Sequence, residues 1–214
     1  AIHERVSRMM RLHIVRRERI LHVAALLIFL LLSLLAVSTA SAQEPTQEVQ
    51  PAAVQTVVNS NITTNTTWTV AGSPYEVEND VTVVAGATLT IEPGVTVRFA
   101  NHASLDVRGR ILAQGTSQNR ITFTGSTAQK GWWESLYIQG TSAAPLTDSV
   151  LDYVTVEYGG ESTGAIYLYE AVAQISNTIV RQSGMHGIYG GNHAYANLTN
   201  VVVENSGASS SHYG

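Results

Sequence analysis

The sequence predicts an all-β protein, a solenoid wound as a right-handed parallel β-helix, and three observations carry that reading. The first is a repeat. VLDYVTVEYG from Val150, ISNTIVRQSG from Ile175 and LTNVVVENSG from Leu198 superpose without a gap, at offsets of 25 and 23 residues given by those starting positions. Self-similarity at roughly 20–50 residues marks an array whose units bury their apolar faces only against their neighbours. The second is the period within each block. Apolar residues two apart alternate with polar or small ones, the spacing of a strand and not of a helix. Each block then passes through Gly into another short apolar run, Ala165-Ile166-Tyr167-Leu168 or Gly187-Ile188-Tyr189. The third is a pair of polar columns, Asp152/Asn177/Asn200 and Glu157/Gln182/Asn205. A polar residue repeated once per coil can hydrogen-bond to its copies above and below, which allows its burial. Parallel crossovers are right-handed as a rule, which sets the hand. The alignment points Val150, Val154, Ile175, Ile179, Leu198 and Val202 inward.

Taken in order, residues 1–42 read as a leader and signal helix. Arg11, Arg16, Arg17 and Arg19 precede the apolar run Val23–Val37, and Ala40-Ser41-Ala42 supplies a small-residue cleavage pattern. The competing reading is an uncleaved anchor, because Ile20–Val37 approaches the ~20 residues that span a bilayer. Residues 43–61, rich in Gln, Thr, Val, Asn and Pro, read as a flexible linker. The coils are expected over 62–214, incomplete at their C-terminal end. Val81–Val83, the Leu89–Phe99 run broken by Pro93-Gly94, Leu105–Val107, Ile111–Ala113 and Ile121–Phe123 are short alternating strands split by turn residues. Asn61-Ile-Thr63, Asn65-Thr-Thr67 and Asn197-Leu-Thr199 match the glycosylation triplet, a pattern that Asn/Thr-rich chains produce by chance.

The unit apolar-x-Asn-x-apolar-x-x-Asn/Gln-x-Gly, followed by Gly-Ile-Tyr, resembles the repeat of pectate-lyase-like parallel β-helix proteins. Trp68, Pro74-Tyr75, Leu105-Asp-Val-Arg-Gly109, Ala113-Gln-Gly-Thr116 and Ile121-Thr-Phe-Thr124 resemble the opening coils of secreted bacterial members. The resemblance implies export and a stacked-coil core. It says little about chemistry. Lyases of this fold hold Ca²⁺ with carboxylates on neighbouring coils and use Arg or Lys as base. Ca²⁺ takes about six to eight oxygen ligands, so aligned acids are the sign to seek. In the alignment no column holds two acids, and Arg181 is expected to pair with Glu204. The motifs of related polygalacturonases are not matched: Ile179 follows Asn177-Thr178, and Met185 precedes His186-Gly187. No catalytic residue, metal ligand or cofactor is nominated, and Ca²⁺ enters only with the lyase alternative.

Composition narrows the partners. The chain has 214 residues and no Cys, and residues 43–214 hold six basic against fourteen acidic residues, a net charge of −8. Such a surface repels phosphate backbones, which argues against nucleic acid. A membrane is met only through the signal segment, if uncleaved. Outward-facing aromatics are the most informative side chains: alternation puts Tyr153, Tyr167 and Tyr169 outside, where rings can stack on sugars. The opposing reading is that Tyr simply favours strands. The sequence therefore predicts an exported, secreted or cell-surface β-helix module without catalysis, serving surface structure, adhesion or binding of a polysaccharide or cell-surface glycan. The alternative is a polysaccharide lyase or hydrolase whose catalytic coils lie beyond Gly214.

Overall fold

The computed structural model describes residues 55–207. The stretch expected to be a signal segment, that expected to be a linker as far as residue 54, and the final seven residues lie outside that range. In chain order the strands are β1 (Thr56–Val58), β2 (Thr66–Trp68), β3 (Tyr75–Val77), β4 (Val81–Val83), β5 (Thr88–Ile91), β6 (Thr96–Phe99), β7 (Leu105–Val107), β8 (Arg110–Gln114) and β9 (Ile121–Gly125). There follow β10 (Leu136–Gln139), β11 (Leu146–Asp152), β12 (Val154–Glu157), β13 (Gly164–Tyr169), β14 (Ala171–Ser176), β15 (Ile179–Arg181), β16 (His186–Gly191), β17 (Tyr195–Thr199) and β18 (Val202–Glu204).

These strands stack into three sheets: β1-β3-β6-β9-β12-β15-β18, β4-β7-β10-β13-β16 and β2-β5-β8-β11-β14-β17. Neighbours in each sheet are parallel and come from successive coils, which is a parallel β-helix. Alternation sends one set of side chains into the solenoid and the next outward. The interior is layered: Val97, Phe123, Val156 and Val180 line one wall, Leu105, Leu136 and Ile166 a second, and Ile91, Ala113, Leu151 and Ile175 a third, all buried. Each large apolar side chain so buried contributes about 2 kcal/mol of transfer free energy. Trp133 fills the interior ahead of β10, stacked on Phe99 with ring centroids 4.1 Å apart.

Strand β1 lies inside the stretch expected to be a linker and pairs with β3, so the solenoid begins ahead of Ile62. Three strand residues without a longer alternation gave no period to read. Two of the glycosylation-like asparagines have a structural task here. Asn61 Oδ1 accepts from the Thr82 amide and Asn65 Oδ1 from the Thr88 amide, both at 2.9 Å, each side chain serving an amide of the next coil.

The repeat stands, but its first unit moves by one residue. Ile175 pairs with Leu198 and Ile179 with Val202, as aligned. In the unit before them, Leu151 and not Val150 pairs with Ile175, and Thr155 and not Val154 pairs with Ile179. One corner column is therefore Tyr153, Asn177 and Asn200, with φ of 48°, 47° and 52°. The other is Tyr158, Gln182 and Asn205, with φ of 63°, 54° and 51°. Asp152 and Glu157 do not belong to them. Two adjacent glycines, Gly159 and Gly160, let either register end on Gly. Tyr at a left-handed corner is rare enough to hide the match.

Orientation changes with register. Leu151, Val154, Val156 and Val180 face in, whereas Val150 and Ile179 are half-buried and Val202 is 50 % exposed on the outside. Leu198 keeps its place over Ile175 but is exposed, because no described strand covers β17.

The two expected polar ladders part company. The first survives: Asn200 Nδ2 donates to Asn177 Oδ1 at 3.1 Å, and Asn177 Nδ2 reaches Asp152 Oδ1 at 2.9 Å. The second does not form, contrary to expectation. Gln182 and Asn205 share a corner, but among the described residues no side-chain hydrogen bond joins Gln182 to Asn205 or either of them to Glu157. Glu157 bonds Arg181 and Thr124 instead. Gln182 is half-buried and Asn205 exposed, so water can satisfy both amides and burial does not demand a ladder. What Gln182 and Asn205 have in common is the backbone: both turn the chain at positive φ, and the Gln182 amide donates to the Glu204 carbonyl at 3.2 Å.

Candidate functional site

The outer face of the five-stranded sheet carries a cluster of tyrosine side chains. Register places Thr82, Asp106, Tyr137, Tyr167 and Tyr189 in one outward column across β4, β7, β10, β13 and β16. The same motif puts each tyrosine there, an apolar-Tyr alternation in Leu136-Tyr137-Ile138, Ile166-Tyr167-Leu168 and Ile188-Tyr189. Neighbouring strands lie about 4.8 Å apart, so the phenols form a ladder along the solenoid axis. Tyr167 and Tyr189 are stacked at 5.3 Å with planes 9° apart, while Tyr137 meets Tyr167 edge-on at 5.3 Å and 73°. Parallel rings at that centroid distance are offset, so each leaves part of a face to solvent.

A second outward column runs beside the first: Gln139, Tyr169 and Gly191. Tyr169 lies 6.3 Å from Tyr167, nearly parallel, and its hydroxyl accepts from Asn192 Nδ2 at 2.6 Å. Gln139 Nε2 donates to Asp106 Oδ1, and Arg108 Nε donates to Asp106 Oδ2 at 2.7 Å. His186 stacks on Tyr189 at 5.4 Å. The face thus combines phenol rings with a rim of hydrogen-bonding groups.

Tyr137 is more deeply set than Tyr167 on this face. Its hydroxyl donates to Glu134 Oε1 at 2.8 Å, and Ser162 Oγ donates to the same oxygen. Burial first, then the hydrogen bond to that carboxylate, pushes its pKa up to about 12 from an ordinary 10.0. Between these values the unfolded chain has lost a proton that the folded chain keeps. Stability is therefore undiminished by this group below pH 10 and falls as pH rises through that window. Phenolate absorbance titration of the native protein should show a late step near pH 12 that Tyr137→Phe removes; an unchanged late step would contradict the assignment. Tyr167 is also raised, by burial and then by Tyr189 and Tyr169.

Of the three tyrosines expected to act together, Tyr167 and Tyr169 do share this face. Tyr153 does not. It sits at the corner between β11 and β12, with the Arg120 guanidinium 5.9 Å from its ring centre. Tyr137 was missed, because it follows a Trp-Trp-Glu-Ser segment that hides its alternation.

Arg181 is paired differently from expectation. Arg181 bonds Glu157, at 2.7 Å, and not Glu204. Glu204 is its register partner on the far side, so Glu157, Arg181 and Glu204 form one outward column of the seven-stranded sheet. Two acids therefore do share a column, separated by the arginine, which the Glu157 hydrogen bond holds firmly charged. Among the described residues no three His, Asp or Glu side chains converge on a metal position. His102 pairs with Glu161 at 2.5 Å, and His193 lies 3.6 Å from Glu170. An open groove of about 660 Å³ runs beside the tyrosine face, lined in part by Gln139, Arg108, Arg110, Pro145 and Asp148. Its arginines are engaged, Arg108 with Asp106 and Arg110 with the Asp148 carbonyl at 3.0 Å.

Residues 60–165 match a family profile described as a pectate-lyase like beta helix domain. Together with the stacked parallel coils, this identifies the fold as that of the pectate-lyase-like β-helices. A stretch of 49 residues is 49% identical to Protein bark beetle of Drosophila melanogaster. The match covers 23% of this chain and 2% of that protein, so the chain spans a small part of the relative's length. No solved structure matches the chain with significance.

Proposed function

We propose that the chain is an exported, non-catalytic β-helix module that binds a polysaccharide on the outer face of its five-stranded sheet. One observation carries the reading: Tyr137, Tyr167 and Tyr189 repeat at one outward position over three successive coils. A polymer of similar units lying along the axis meets one ring per coil, and amphipathic phenols suit ligands with apolar C–H faces and a hydroxyl rim. A role in adhesion or surface structure would use the same face. The lyase alternative is disfavoured because Arg181 is neutralised by Glu157, and a lyase must stabilise charge developing at a uronate carboxyl.

The test is retention of the full chain on cellulose, xylan, mannan, β-1,3-glucan and chitin, with polygalacturonate and Ca²⁺ as a separate turnover assay. Retention on at least one neutral polymer and no unsaturated product are expected. Turnover lost in Arg181→Ala would establish the lyase instead, and retention on none of the polymers would overturn the binding reading.

A further inference from the structure

The chain has nine tyrosines and no cysteine, so no disulfide ties its coils together. Phenols can do so, because two tyrosine rings join covalently through the carbons ortho to their hydroxyls, Cε1 or Cε2. Tyr167 and Tyr189 are register partners on β13 and β16, with ring centroids 5.3 Å apart and planes 9° apart. Partners in parallel register leave the sheet in the same direction, about 4.8 Å apart. Near-parallel rings on such a pair run side by side with their hydroxyls at the same end, so the ortho carbons of one ring face those of the other. Tyr189 is 40 % exposed and Tyr167 is half-buried, which opens the pair to an oxidant from solvent. Exposed side chains reorient within about picoseconds to nanoseconds, and a tilt of Tyr189 toward Tyr167 closes the remaining gap.

The other phenols are placed less well for a tie between coils. Tyr75 is buried against Trp68, with ring centroids 4.7 Å apart. Tyr137 meets Tyr167 edge-on at 73°, and its hydroxyl is held by Glu134. Tyr169 is nearly parallel to Tyr167 at 6.3 Å but stands on the same strand, where a bond would join no two coils. Tyr195 is 67 % exposed on β17, in a different sheet from Tyr189.

We propose that Tyr167 and Tyr189 are an oxidative cross-linking site, at which a peroxide-driven one-electron oxidant joins β13 to β16 through a dityrosine bond. Each phenol gives up one electron and its hydroxyl proton to become a phenoxyl radical. The two radicals couple between ortho carbons; each coupled carbon then loses its hydrogen as a proton and each oxygen regains one. The balance is two electrons and two protons lost by the pair, which reduce one hydrogen peroxide to two waters. The product fastens one coil of the solenoid covalently to the next, whether or not a saccharide lies on the same face.

The test treats the dilute full chain with a peroxidase and hydrogen peroxide, then separates monomer from covalent dimer. The monomer should gain dityrosine fluorescence and weigh two hydrogen atoms less. Trypsin cuts after Lys130 and Arg181, so the bond should link the peptide holding Tyr167 to the one holding Tyr189, and fragmentation should place it on those two residues. Tyr167→Phe and Tyr189→Phe, which keep the ring and remove the hydroxyl, should each abolish that linked pair, while Tyr195→Phe should form it as wild type does. The cross-linked monomer should melt roughly 5–10 °C higher than the untreated chain, as a closed loop between neighbouring coils requires. Dityrosine confined to covalent dimers, mapped to other residues, undiminished in Tyr189→Phe or not formed at all would overturn the site. An unchanged melting temperature of the linked monomer would overturn its role as a tie between coils.

Discussion

Trp133→Ala should lower the unfolding free energy by about 3–5 kcal/mol, the range for deleting a fully buried large aromatic side chain. Trp133 is completely enclosed and stacks on Phe99 at 4.1 Å, and its Nε1 donates to the Glu157 carbonyl at 2.9 Å. The neighbouring coil is shaped around it: a methyl group on Gly159 would come within 2.8 Å of the indole. The loss therefore combines transfer free energy, a cavity between coils and an orphaned carbonyl. Urea unfolding followed by circular dichroism measures it. Trp132 is half-buried with its Nε1 on Ser126 Oγ at 3.0 Å, and Trp132→Ala should cost much less. A shift below about 1 kcal/mol for Trp133→Ala would show that the coils do not pack around this ring.

Arg120→Ala should follow at about 2–4 kcal/mol, an estimate from hydrogen bonds to a charged group discounted for partial exposure. Its NH2 donates to the Val154 carbonyl at 2.7 Å and to the Asn177 carbonyl at 2.6 Å, and Nε donates to Thr155 Oγ1 at 3.1 Å. One side chain thus fastens its own coil to the next two at the corner where Tyr153 and Asn177 adopt positive φ. Arg120→Lys should restore little, because a single ammonium lacks the planar fork that serves several acceptors. Full rescue by Lys would mean that charge alone matters there. Equal stability of wild type and Arg120→Ala would remove the clamp from the account.

The sequence read well where neighbours in the chain determine the answer. Alternation located the strands from Val81 to Phe123, and repetition located the coils, because both are local consequences of a two-residue period. It read poorly where spacing between coils matters. The Val150 unit slipped by one residue because Gly159 and Gly160 are interchangeable to an alignment; that slip put Asp152 at the corner that Tyr153 holds, though its side chain still meets Asn177, and misassigned Glu157 and the partner of Arg181. The same slip set Glu157 over Gln182 and Asn205 as a ladder, where Tyr158 in fact stands and the shared feature is a left-handed corner. Tyr153 was expected on the binding face because alternation holds only inside a strand, and this residue turns a corner instead. Tyr167 and Tyr169 were legible as outward residues. Their grouping with Tyr137 and Tyr189 depends on registers of β10, β13 and β16, which only the folded coils supply. The apolar run Val23–Val37, expected to belong to a leader, lies outside the described residues.

Calorimetric titration of the full chain and of Tyr167→Ala with the retained polymer's neutral hexasaccharide tests the central claim most directly. Tyr167 stands between Tyr137 and Tyr189 in the ladder and beside Tyr169, so its ring adjoins each of the other three phenols of the proposed surface. Loss of one stacking side chain at about 1–2 kcal/mol predicts roughly ten- to thirtyfold weaker binding, with the melting temperature little changed because Tyr167 points outward. Binding by Tyr167→Ala at wild-type strength would contradict the account, and the tyrosine face would then not be where the saccharide sits.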